Sequence, residues 1–170
     1  YVEAMTGQKG RVSDEGPAGM EESFRLDIDS TIPPDGYHVR LDNKRILING
    51  GDSRGCLYGV YAWLYDMGCR WPLPGKDYEI VPWMTSIDWK GPELKSAPAI
   101  RRRGMVYCII DPNDRSCLEL VDFLAKNGFN YLFLHVGSLS GELRDHLARM
   151  LNEREMGFEY GGHILAPLLP

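Results

Sequence analysis

The sequence predicts an α+β unit, an antiparallel sheet with a buried helix, followed by a run of parallel β-α units. Three observations carry this. Residues 98–163 read strand, helix, strand, helix, strand with short links, the pattern of a parallel sheet. Residues 23–49 read as short alternating strands joined by tight turns. Between them lies a helical pattern that is apolar nearly all the way round (Cys56, Leu57, Val60, Tyr61, Trp63, Leu64), and such a helix is buried.

The parallel part begins with three arginines, Arg101, Arg102 and Arg103, followed by an apolar run over 105–110. The next pattern is helical, with apolar positions at Cys117, Leu118, Val121, Leu124 and Ala125. Ser116 and Glu119 form a Ser-x-x-Glu capping box at its start, and Gly128 closes its end. Residues 131–136 form an apolar run too short for a helix. Both strand runs are continuous rather than alternating, which suits strands buried on both faces. A second helix pattern covers 141–156, with its stripe at Leu143, Leu147, Met150 and Leu151 and Gly157 ending it. Residues 158–160 make a third strand that leads into Gly161-Gly162-His163.

In the first part, residues 1–5 read as the end of a strand and 8–20 as a loop. Residues 23–29 alternate polar and apolar, a half-buried strand, and Ile32-Pro33-Pro34-Asp35-Gly36 is a turn. Residues 37–41 and 45–49 pair as a hairpin through Asp42-Asn43-Lys44. Asp52 or Ser53 caps the buried helix, which runs to about Met67, and Gly55 and Gly59 give it a small face that a sheet can approach. A Gly-rich turn before a helix is also a place for phosphate, but its spacing here fits neither nucleotide fingerprint. Gly68 ends the helix, and 78–81 is a last short strand. Residues 82–98 carry Pro82, Pro92 and Pro98 and a charged stretch, and read as a linker. The domains are expected at 1–92 and 93–170.

Composition narrows the function classes. The chain has 170 residues, 44% hydrophobic and 25% charged, with net charge −5. That balance argues against nucleic acid as a partner, since no basic face extends beyond the short arginine run. The longest charge-free apolar stretch, 56–65, is too short to cross a bilayer. The chain shows no signal peptide and does not begin with Met, so a processed start is expected. The four cysteines show no C-x-x-C spacing and are expected to be buried free thiols, with Cys56–Cys69 and Cys108–Cys117 bridges left open. The four histidines have no ligand spacing, so neither a metal nor a cofactor is expected.

The order of these elements resembles the start of the family 20 glycoside hydrolases, the β-N-acetylhexosaminidases and their relatives. The hairpin from Asp35-Gly36-Tyr37 to Ile46-Leu47-Ile48-Asn49-Gly50 resembles that of the family's accessory domain. So does the helix Arg54-Gly55-Cys56-Leu57-Tyr58-Gly59-Val60-Tyr61. Arg103-Gly104 matches the Arg-Gly pair of the family's first barrel strand, Asn130 and His135 an Asn and His of the second, and Gly162-His163 the Gly-His of the third. Family 67 α-glucuronidases and family 84 hydrolases share the plan.

The resemblance implies an α+β accessory domain followed by an incomplete (β/α)8 TIM barrel, of which the chain holds the first three β/α units. It implies hydrolysis of O-glycosidic bonds in a carbohydrate substrate, with Arg103, His135 and His163 binding sugar. The Asp-Glu pair of the family's fourth strand would lie beyond Pro170. No residue here is therefore given a catalytic role, and the chain alone is expected to be an inactive fragment. The sequence departs from the family at Val136-Gly137-Ser138, where an Asp-containing turn is usual, and at 158–161, which lacks the usual Asp.

Other readings follow from single residues. Glu159 is the one carboxylate near a strand end, and glycoside hydrolysis needs two. Trp63, Trp71, Trp83 and Trp89 read as packing residues rather than sugar platforms. An open barrel edge predicts self-association or a covering partner. Two alternatives stand beside the hydrolase: a non-catalytic carbohydrate-binding or assembly unit, and a nucleotide-binding domain, which Asp111-Pro112-Asn113-Asp114 disfavours. A secreted or periplasmic location is expected by analogy only.

Overall fold

In a computed structural model, residues 1–10, 23–91, 93–109, 111, 113–136 and 139–161 are described. They form two units, Tyr1–Arg70 with Glu79–Ala99, and Trp71–Tyr78 with Ile100–Pro170.

The first unit holds helix α1 (Val2–Thr6), strands β1 (Ser23–Ile28), β2 (Tyr37–Asp42) and β3 (Arg45–Gly50), helix α2 (Ser53–Asp66) and strand β4 (Leu94–Ser96). Residues 1–5, expected as a strand end, are instead mostly helical, and Met5 is fully buried. The sheet order is β1-β3-β2-β4. It is mixed rather than antiparallel, because β1 runs parallel to β3. β2 joins β3 on the side away from β1. The parallel register sets Phe24 and Leu26 beside Ile46 and Ile48, and the antiparallel one sets Val39 beside Ile48. Successive strand residues alternate in face, so these side chains share one face. Helix α2 covers its β2–β3 part, where Val39, Ile46 and Ile48 are buried, and the ring of Phe24 meets Trp63 edge-on at 4.7 Å, while Leu26 on the edge strand is exposed.

Close approach of α2 depends on its glycines. A Cβ on Gly59 would lie 2.6 Å from Ile48 Cγ2, and one on Gly55 would run into the Gly36 carbonyl. Asp52 caps the helix by accepting from the Gly55 N–H at 2.6 Å. Between Arg54 and Leu64 every residue is at least half-buried, as an all-round apolar helix requires.

Two expectations after the helix are corrected. Residues 78–81 form no strand beyond an isolated Arg70–Ile80 bridge. Within the stretch read as linker, β4 pairs antiparallel with β2, Val39 opposite Leu94 and Tyr37 opposite Ser96. Its three residues give too little periodicity to be seen in sequence. Trp63, Trp71 and Trp89 are buried, but Trp83 is 72% exposed.

The second unit holds strand β5 (Gly104–Cys108), helix α3 (Ser116–Lys126), strand β6 (Tyr131–His135), helix α4 (Gly141–Glu153) and strand β7 (Gly157–Gly161). The three strands are parallel, in the order β5-β6-β7. The helices cover one face, where Leu132 and Leu134 are fully buried with Leu124, Val121, Leu143 and Leu147. The other face is open: Val106 is 64% exposed, and Tyr131, Phe133 and His135 are half-buried. The expectation of strands buried on both faces is therefore corrected. A continuous apolar run says that both faces can be covered, and among the described residues helices lie on one.

Two helix ends also differ from expectation. Ser116 is the first residue of α3 and not its cap, so the capping box does not form. Asp114 accepts from the Ser116 N–H at 2.9 Å instead, and the Ser116 hydroxyl pairs with the Tyr107 hydroxyl at 2.7 Å. After α4 it is Glu155, at φ 48°, that takes the left-handed conformation, and Gly157 already belongs to β7.

Candidate functional site on the open face of the parallel sheet

In a parallel β-α sheet the loops after the strands build the site. Register places Val106 beside Phe133 and Glu159, and Cys108 beside His135 and Gly161. With Gly104, Tyr131 and Gly157 these positions make up the open face, in three rows from the N-terminal to the C-terminal end of the strands.

The C-terminal row holds a thiol and an imidazole. Cys108 Sγ lies 3.3 Å from His135 Nδ1, and the thiol is exposed. The backbone ladder continues through this row, with the Ile109 N–H donating to His135 O at 3.0 Å and the Val136 N–H to Gly161 O at 3.1 Å. Acids in the following turn are held locally. Asp111 accepts from the Asn113 N–H at 2.9 Å. Hydrogen bonds from the Ser116 side chain and backbone lower the Asp114 carboxyl below its ordinary value.

The N-terminal row is closed by packing. A Cβ on Gly157 would sit 2.6 Å from Tyr131 Cδ2, and one on Gly104 2.9 Å from Tyr131 Cδ1. The two glycines thus make room for the Tyr131 ring between them. The Arg102 guanidinium lies over that ring, 4.4 Å from its centroid, and approaches Glu159 at 3.5 Å.

Of the sequence-predicted residues, His135 and Arg103 are not brought together. His135 stands at the C-terminal end of the sheet. Arg103 stands at the N-terminal end, where its Nε donates to Gly128 O at 2.7 Å and its Nη1 to Ile100 O at 2.8 Å. It thus lies low in the sheet, where its position before the apolar run puts it. His163 falls outside the described residues. The arginine on the open face is Arg102, to which the sequence analysis gave no role in the site. Strand periodicity carries the missing signal, because 102, 104 and 106 share a face and Tyr131, Phe133 and His135 share the same one.

The face offers an aromatic ring at Phe133 for stacking and an imidazole for hydrogen bonding or proton transfer. Its carboxylate among the described residues is Glu159, already beside Arg102, so no carboxyl pair stands there. Among the described residues no group of three or more His, Cys, Asp or Glu is placed to hold a metal ion. No helix among them is long and apolar enough to cross a membrane.

Solved structures share this fold. A glycoside hydrolase family 20 β-N-acetylglucosaminidase superposes with a TM-score of 0.57 over 81% of this chain and 32% of its own, at 16% identity. An enzyme of family GH138 targeting pectin rhamnogalacturonan II gives 0.52 over 79% of this chain and 19% of its own, at 15% identity. CpGH84B gives 0.50 over 79% and 24%, at 18% identity. No family model and no curated protein matches the chain. At these identities the likeness is one of fold: the chain has a glycoside hydrolase-like fold, and it spans less than a third of each of these proteins.

Proposed function

We propose that the chain is the N-terminal part of a carbohydrate-active glycoside hydrolase, with a small α+β unit preceding the first three β/α units of a (β/α)8 barrel. The reaction is hydrolysis of an O-glycosidic bond, of the β-N-acetylhexosaminidase kind. The observation that carries the reading is the fold shared with a family 20 β-N-acetylglucosaminidase over 81% of the chain. The open sheet face with an imidazole at its C-terminal end supports it, because β-α barrels work at that end.

In this reading His135 and His163 contact sugar hydroxyls and Phe133 lies under a sugar ring. Arg103, with its guanidinium on two backbone carbonyls, acts indirectly by holding the start of β5. The two carboxyl groups that the chemistry needs come from outside strands β5 to β7. Self-association through the open sheet is part of the same proposal and is read from sedimentation at several concentrations.

Calorimetric titration with N-acetylglucosamine and with glucuronic acid tests the reading. Binding of N-acetylglucosamine that is lost in His135→Ala and in His163→Ala supports it. Binding of glucuronic acid alone moves the substrate class to α-glucuronidase-like. If neither sugar binds, or both variants bind as the parent does, the sugar site is not here and the likeness is to fold only.

A further inference from the structure

The four cysteines are free, and they differ sharply in surroundings. Cys56, Cys69 and Cys117 are buried, and burial raises each of these thiols above its ordinary range. Each is also engaged: Cys56 Sγ lies 3.2 Å from Asp27 O, Cys69 Sγ 3.9 Å from Met5 Sδ, and Cys117 Sγ 3.6 Å from Asp114 O.

Cys108 is exposed, and parallel pairing fixes it beside His135. With the thiol donating, His135 Nδ1 at 3.3 Å is the ring nitrogen that carries the lone pair. The pair is held by backbone as well as by side chains, since the next residue, Ile109, donates its N–H to His135 O at 3.0 Å. A thiol in reach of solvent with a base on its proton is the arrangement of an activated nucleophile.

We propose that Cys108, with His135 as its proton acceptor, is a thiol–disulfide exchange site that takes small disulfides of the glutathione class. The site does not depend on the hydrolase reading. In the exchange, Cys108 Sγ attacks one sulfur of the disulfide and its proton passes to His135 Nδ1. A protein–small-molecule S–S bond forms as the original S–S bond breaks, and the departing thiolate takes the proton from the imidazolium. The small disulfide is the oxidant: its departing sulfur is reduced from disulfide to thiol as the Cys108 sulfur is oxidised from thiol to disulfide, and the retained sulfur stays at the disulfide level. The bond is reversed by excess free thiol of the same class.

The folded chain is mixed with 5,5′-dithiobis(2-nitrobenzoate), and the released aromatic thiolate is followed by absorbance. Oxidised glutathione followed by intact-mass measurement gives the second readout. One thiol per chain reacts fast in the folded protein and four react in denaturant. The fast phase is absent in Cys108→Ser, and peptide mapping of the glutathione adduct finds residue 108. His135→Asn slows the fast phase by about a hundredfold or more, the lower end of what a positioned base supplies. Its circular dichroism is recorded beside the parent's. Should it not fold, His135→Gln is measured, and the peptide map of the parent decides alone. A fast phase that survives Cys108→Ser, an adduct mapped to another cysteine, or a folded His135 variant reacting at the parent rate overturns the proposal.

Discussion

The buried amide of Asn130 holds the backbone on both sides of Arg102. Its Oδ1 accepts from the Arg103 N–H at 2.8 Å, and its Nδ2 donates to the Arg101 carbonyl at 2.8 Å. Its backbone joins the same clamp, with the Asn130 N–H donating to Arg103 O at 2.9 Å and Asn130 O accepting from the Gly157 N–H at 2.8 Å. One residue at the start of β6 therefore ties together the starts of all three strands.

This clamp predicts a cost for Asn130→Ala. Removing the amide leaves an N–H and a C=O without these partners at a part-buried site, which costs about 1–3 kcal/mol. Asn130→Asp keeps the acceptor and loses the donor, and falls between. Urea denaturation followed by circular dichroism measures both. A loss under about 0.5 kcal/mol for Asn130→Ala removes the clamp from the account.

The room that Gly157 leaves for Tyr131 makes a second prediction. Gly157→Ala forces the ring aside and costs about 1–3 kcal/mol, as overpacking does. The nearest atoms to the added Cβ are those of the ring, with Asn130 O farther off at 3.6 Å. In a Tyr131→Ala background the same change is therefore cheaper. A double-mutant cycle reads the coupling, and additive losses would show that the ring is not what the glycine serves.

Arg54 and Asp35 make a third. Asp35 is 4% exposed, sits in a left-handed turn at φ 62°, and is ion-paired with Arg54 Nε. Burial works against the Arg54 charge, but the Asp35 hydrogen bond and charge outweigh it, so the guanidinium holds its proton more tightly than usual. Arg54→Ala strips that cation from a buried carboxylate and is expected to cost about 3 kcal/mol. Arg54→Met with Asp35→Asn removes both charges and should recover much of the loss. A double variant no more stable than Arg54→Ala argues against the pair as the cause.

Acid stability supplies a fourth. The Asp114 carboxyl is lowered below its ordinary value of 3.8 by hydrogen bonds from Ser116. A carboxyl lowered in the folded state favours folding above its unfolded value, and that contribution fades as pH falls through the folded value. Asp114→Asn keeps an acceptor but does not titrate. Between about pH 5 and pH 2 the parent should lose more stability than the variant. Parallel stability–pH curves in that window would dismiss Asp114 as a contributor.

Much of the element order was legible because local rules decide it. The buried helix was visible in its apolar circumference and its glycines, the hairpin in its turn, and the β-α-β-α-β order in its change of period. Elements with little local signal were not visible. The three residues of β4 draw their order from β2, and α1 is five residues long, too short to show a period. The capping box had the right letters and failed because Ser116 is the first helical residue rather than the cap, and its N–H donates to Asp114.

By itself the sequence determined most of the longer strands and helices, though not α1 or β4, since side-chain period and turn chemistry are properties of neighbouring residues. Tertiary structure alone decided that β1 lies parallel to β3, that one face of the second sheet is open, and that Arg102 rather than Arg103 occupies it. It alone set Cys108 beside His135, 27 residues apart in the chain. Strand pairing across long connections is settled by which faces the helices cover. That depends on the packing of the whole unit, which no local stretch of sequence records.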